Sequence, residues 1–174
     1  MTDLALPIIP DEQWKPCTPL HVSTPQNRSR DLLAQVIDQF QPGLKPRYRP
    51  TKEATYCNIF AQDVMAAMSV PLPRETTAND TLRKLVAGEI PGWTGAKTLQ
   101  AKATAIAKVR DGHPAMMGWL NPKGVHGHIA ILRGSSTMEM PIIAQAGQQN
   151  FVEELATKGF SIQKFIEVIW CWAD

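Results

Sequence analysis

The chain has 174 residues, 44% hydrophobic and 20% charged, with a mean hydropathy of −0.19. That length suits one domain burying about 70% of its unfolded surface, and no run approaches the roughly 18 apolar residues of a membrane span. Lysine and arginine exceed aspartate and glutamate by only 18 − 16 = 2, and the charges are interspersed, so a nucleic-acid partner is not expected.

The start, Met1-Thr2-Asp3-Leu4, lacks a basic region followed by an apolar one, so no secretory signal is expected. Residues 1–26 are rich in proline (Pro7, Pro10, Pro16, Pro19, Pro25). They predict an extended arm wrapped over the domain, with no regular element, because proline fixes φ and removes a donor. Residues 27–50 predict a helix from Arg28 to Phe40, with Leu32, Leu33, Val36, Ile37 and Phe40 at helical spacing. Pro42-Gly43 stops it, and the proline-flanked run from Lys45 to Pro50 is a connector.

Residues 51–174 hold the rest. Helical patterns run from Cys57 to Met68, over 78–87 and over Ala96–Arg110, the last with Gly112 as its C-terminal cap. The period then changes. Pro114–Leu120, His128–Arg133, Pro141–Ala146 and Lys164–Trp172 read as strands, with Asn121–Gly124 and Gly134–Ser136 as turns. Helices followed by neighbouring strands predict an α+β fold, with helices packed on a small antiparallel sheet, in a single domain.

Three segments carry the chemistry. Thr55-Tyr56-Cys57-Asn58 puts a cysteine at the start of a helix, where free N–H groups and the helix dipole favour a thiolate. The alternative is a small buried hydrophobe. Gly127-His128-Ile129-Ala130 puts a histidine at the head of an apolar strand, with His126 as a rival on the turn before it. His113 and His21 lie beside loop prolines and read as surface residues. On the third segment, Gln145 within Ile142–Ala146 could hydrogen-bond the ring nitrogen of His128 that faces away from Cys57, with Asn150 as the alternative.

Cys17 and Cys171 read as free, partly buried thiols rather than a disulfide, and three scattered cysteines do not make a zinc site. Asp63 reads as solvated. Trp93 and Trp119 are candidates for lining a groove, and Trp170-Cys171-Trp172 for sheet packing.

In order and spacing, Cys57, Gly127-His128-Ile129-Ala130 and Gln145 resemble the CHAP-type amidohydrolase/peptidases and their NlpC-type relatives, bacterial and phage members of the papain-like superfamily. The resemblance covers roughly residues 50–151. It implies a papain-like fold with Cys57 as nucleophile at the N-terminus of a core helix, His128 as base and Gln145 as third member. It also implies cleavage of an amide bond in bacterial peptidoglycan by a wall hydrolase made in the cytoplasm and acting after release or delivery. An oxyanion would sit between the Cys57 N–H and an upstream side chain, Tyr56 or Tyr48. Trp119 and Asn150 are further substrate-side candidates. No Asp-rich calcium loop is visible, so no metal or cofactor is expected, and the chain is expected to be a monomer. Other folds of this group act as proteases, deamidases or acyltransferases on non-wall substrates. A non-enzymatic binding module with Cys57 and His128 merely packed is the remaining alternative.

Overall fold

The computed structural model describes residues 11–124 and 126–174. Residues 1–10 of the arm and Val125 of the turn before His128 lie outside the described residues. In chain order come α1 (Asp11–Trp14), α2 (Arg30–Asp38), a 3-10 turn (Pro46–Tyr48), α3 (Cys57–Ala67), α4 (Ala78–Val86), β1 (Trp93–Ala96) and α5 (Leu99–Arg110). They are followed by β2 (Ala115–Trp119), β3 (His128–Leu132), β4 (Ile142–Ala146), β5 (Asn150–Leu155), α6 (Ala156–Gly159), α7 (Ile162–Phe165) and β6 (Ile169–Ala173).

The protein is α+β. Among the described residues, six strands form one sheet in the order β1-β6-β2-β3-β4-β5, with every neighbouring pair antiparallel. α3 packs on β3 and β4, α4 on β1 and β2, and α5 on β6 and β2. Among the described residues, no helix is long and apolar enough to cross a membrane.

Local chemistry explains the helix starts. Ser29, Thr77 and Thr98 each accept a backbone N–H from the first turn of α2, α4 and α5, which satisfies one of the donors a helix start leaves unpaired. α3 has no such side-chain cap, and its first residue is Cys57. α3 is also buried nearly all round, with only Ala66 exposed, as befits a helix enclosed by neighbours.

Several expectations change here. A short helix, α1, does form within the proline-rich arm, fitted between Pro10 and Pro16. The arm is tied down by backbone bonds: Leu20 and His21 N–H donate to Gln39 Oε1 at 2.7 and 2.8 Å, and Ser23 N–H to the Ala67 carbonyl at 2.8 Å. β1 and β5 were not expected as strands. β1 is four residues long with a glycine inside it, and β5 carries Glu153-Glu154 on a sheet edge, so neither shows the alternation that marks a half-buried strand. The last strand starts at Ile169 rather than Lys164, because Ser161 caps α7 ahead of it. His113 is half-buried, with Nδ1 3.1 Å from Arg28 Nη1, instead of lying on the open surface. Trp93 is buried and donates to the Val70 carbonyl, so it belongs to the core.

The largest correction is Asp63, which is 2% exposed rather than solvated. It accepts from Arg47 (2.7 and 3.2 Å), Arg74 Nη1 (2.8 Å) and the Tyr48 hydroxyl (2.8 Å). Arg47 also donates to the Lys15 carbonyl at 2.7 Å. The carboxylate therefore joins α3, the 3-10 turn, the loop after α3 and the arm. Removing one member of such a buried charge group leaves the others desolvated and unpaired, which costs about 3–5 kcal/mol. Asp63→Ala is expected to lower unfolding free energy by about that amount in urea titration. A loss below about 1 kcal/mol would show the cluster to be dispensable.

Candidate active site

β2, β3 and β4 bring the site together at one end of the sheet. Trp119 on β2 lies directly across from His128 on β3, so the two side chains share a face. On the other side of β3, Ile131 pairs with Ala144 and Leu132 with Ile143. Continuing that register sets Gly147 across from His128 and leaves Gln145 on the diagonal, two residues nearer the sheet's interior. A diagonal neighbour is within reach of a long side chain, and Gln145 Oε1 lies 2.6 Å from His128 Nε2.

Two glycines keep this reach open. A Cβ on Gly147 would press His128 Cε1 at 3.2 Å and Gln145 Nε2 at 3.3 Å. A Cβ on Gly159, at the end of α6, would overlap Gln145 Oε1 itself. Phe160, the next residue, is buried and packs its ring against the imidazole, with centroids 4.8 Å apart.

The amide of Gln145 has one permitted orientation. Its Nε2 donates to the Gln149 carbonyl at 2.9 Å, and a carbonyl can only accept. Oε1 therefore faces His128, and an amide oxygen can only accept as well, so His128 Nε2 carries a hydrogen. Nδ1 is left as the ring nitrogen for Cys57, and the thiol and the imidazole each favour the other's charged form.

Cys57 is 3% exposed at the first position of α3. Burial pushes its thiol up. The hydrogen bond and charge of His128, together with the backbone N–H groups of Ile129 and Asn58, outweigh burial and bring the thiol below its ordinary value. Burial favours the neutral ring of His128, but the bond to Cys57, its negative charge and the Gln145 bond raise the imidazole, with Lys164 opposing. Both shifts run towards a thiolate beside an imidazolium. Cys171 is the contrast: it is buried on β6 without polar help, and burial alone pushes it far up. Cys17 is also free and raised, chiefly by burial.

A cleft of about 480 Å³ passes over His128 and Gln145. Thr51–Thr55, the segment that leads into Cys57, forms part of its wall, as do Trp119, His126, Lys158 and Lys164. Cys57 itself does not line the cleft. Among the described residues, no three His, Cys, Asp or Glu side chains converge as a metal site.

Of the residues singled out by sequence, Cys57, His128, Gln145 and Trp119 are brought together. The others are not. Tyr48 is fully buried and spends its hydroxyl on Asp63, so it cannot donate to an oxyanion. Tyr56 is packed in the core and does not line the cleft. Asn150 does not orient the histidine, because its amide donates to the Pro42 and Tyr48 carbonyls at 2.8 and 2.7 Å. Sequence reasoning missed Gly159, Phe160, Lys158 and Lys164, which come from short helices with no motif of their own. It also missed Asn79, which is buried and holds the turn before His128 through the Asn121 and Gly124 carbonyls and the Asn121 N–H.

No protein-family model and no curated protein matches this chain.

Alkylation of Cys57 by iodoacetamide should persist well below pH 8.5, the ordinary thiol value of about that size, because a lowered thiol stays ionised as pH falls. His128→Ala leaves burial opposed only by the backbone N–H groups of Ile129 and Asn58, so its neutral-pH rate should collapse and recover only in base. Equal pH profiles for the two proteins would contradict the ion pair. Gly159→Ala, by displacing Gln145 Oε1, should move the rate in the same direction as Gln145→Ala. An unchanged rate in Gly159→Ala would mean that the overlap is relieved elsewhere.

Proposed function

We propose that this chain is a papain-like cysteine hydrolase that cuts an amide bond of bacterial peptidoglycan, as an N-acetylmuramoyl-L-alanine amidase or as a peptidoglycan endopeptidase. The observation that carries the hydrolase part is the 2.6 Å bond from His128 Nε2 to Gln145 Oε1, which leaves Nδ1 as the ring nitrogen available to a thiol lowered by its surroundings. The wall substrate is supported by the resemblance of the Cys57, Gly127-His128 and Gln145 segments to CHAP-type and NlpC-type enzymes.

Cys57 Sγ attacks the carbonyl carbon, and the C=O electrons move onto oxygen. The N–H of Cys57, at a helix start without a side-chain cap, is the donor assigned to that oxyanion. The tetrahedral species collapses, the C–N bond breaks, and His128 Nδ1–H passes its proton to the leaving nitrogen. This leaves a thioester on Cys57, a neutral imidazole and a free amine. Water then gives a proton to His128 Nδ1 as its oxygen attacks the thioester. The C–S bond breaks, releasing a carboxylic acid and restoring the thiolate beside the imidazolium. Throughout, Gln145 holds the ring in the required tautomer. It is a neutral acceptor, and so stabilises the imidazolium less than a carboxylate would.

Purified Gram-negative sacculi treated with wild type should release soluble fragments, detected by mass spectrometry, and Cys57→Ala should release none. Gln145→Ala should fold normally and lose about 10²-fold in kcat with little change in KM, the size of effect that misplacing a catalytic group produces. Fragments from Cys57→Ala, or none from wild type, would overturn the proposal.

A further inference from the structure

The cleft is unevenly charged. Its lining holds Lys52, Lys158 and Lys164 against one carboxylate, Glu53. Among the described residues, none of the three lysines has a carboxylate within 4.0 Å. Lys164 instead sits over the Trp119 ring, with Nζ 4.5 Å from its centroid, and the Trp119 indole N–H is occupied by Glu167 Oε2 at 3.2 Å. A cation on an aromatic face is held in position while its N–H donors stay free for an anion. Its charge is felt at His128, which it disfavours as a cation, so an anion bound there would relieve an existing repulsion.

The position of this charge relative to the reaction matters. In the proposed mechanism His128 hands its proton to the leaving nitrogen, so the leaving half of the substrate lies against His128 and its neighbours. Those neighbours are Trp119, directly across the β2–β3 pair, with Lys164 over its ring. Lys158 lies beside Gly159, the residue that closes on Gln145. Building on that mechanism, we propose that Lys158 and Lys164 bind an ionised carboxylate on the leaving half of the substrate, so that the released amine belongs to an amino acid whose carboxylate is free rather than amidated. A carboxamide in the same place would offer a neutral oxygen and add N–H donors facing cations. It would bind worse without clashing.

The test uses the full chain as Cys57→Ala, which binds without turnover. Its calorimetric titration with a soluble wall stem peptide in free-carboxylate form is compared with titration of the same peptide with its carboxylates converted to carboxamides. The acid form should bind about tenfold more tightly, the size of one or two hydrogen bonds to a charged group. Adding Lys158→Gln and Lys164→Gln should bring the two forms to parity by weakening the acid form alone. Equal affinity in the parent, including no binding of either form, overturns the inference. So does an acid preference that survives both lysine substitutions. Cleavage by wild type separates this inference from the one beneath it. If both peptides are cut with the same KM, the hydrolase stands and the carboxylate site falls. If the acid form binds through the lysines but is never cut, the site stands and the wall-hydrolase reading falls.

Discussion

The carbonyl of Gln149 can only accept a hydrogen bond, and that limitation passes through Gln145 and His128 to Cys57. It forces the Gln145 amide to present oxygen to the imidazole, which puts a hydrogen on Nε2 and leaves Nδ1 for the thiol. The chain of donors and acceptors has one consistent assignment, and Cys57 and Gln145 within it are buried. Low local dielectric strengthens each of its bonds and makes any unpaired member costly. The glycines at 147 and 159 matter for the same reason. They occupy the two places where a methyl group would press on that amide.

The state of Cys57 depends on a second feature, an omission at the start of α3. The other helices of nine residues or more begin with a serine or threonine that takes up a first-turn N–H. α3 begins at Cys57 without one. The backbone N–H of Asn58 in that first turn acts on the sulfur instead, and the thiol is lowered even though burial alone would raise it. Cys171, equally buried but without those partners, goes the other way. α3 in turn is held by Asp63, whose carboxylate collects Arg47, Arg74 and Tyr48 from flanking segments. The surroundings of Cys57 and the attachment of the arm thus meet on one helix.

Much of this was readable in the residues. The helix patterns at 57–68 and 78–87 and the apolar runs at His128 and Ile142 gave the α+β order, because buried periodicity survives in a single sequence. Gln145 stood out as a polar residue inside an apolar strand. β1 and β5 were hidden, since a short edge strand with glycine or paired glutamates has little alternation to read. The tyrosines misled for a different reason. A hydroxyl near the nucleophile in sequence suggests an oxyanion donor, but only the fold reveals that Asp63 claims Tyr48 and that Tyr56 points into the core. Asn150 likewise serves backbone carbonyls more than 100 positions away, a contact no local pattern encodes. Lys158 and Lys164 look like ordinary surface lysines until α6 and α7 are seen beside the cleft.

The central claim is that Cys57 becomes acylated during amide hydrolysis, and trapping that thioester tests it most directly. Wild type mixed with soluble peptidoglycan fragments, quenched in acid within the first turnover and mapped by mass spectrometry, should carry an adduct on the peptide containing Cys57. The adduct mass should equal the acyl half of the released products, and hydroxylamine should remove it. Fragment release with Cys57 unmodified at every quench time, and undiminished when Cys57 is replaced by alanine, would contradict the account.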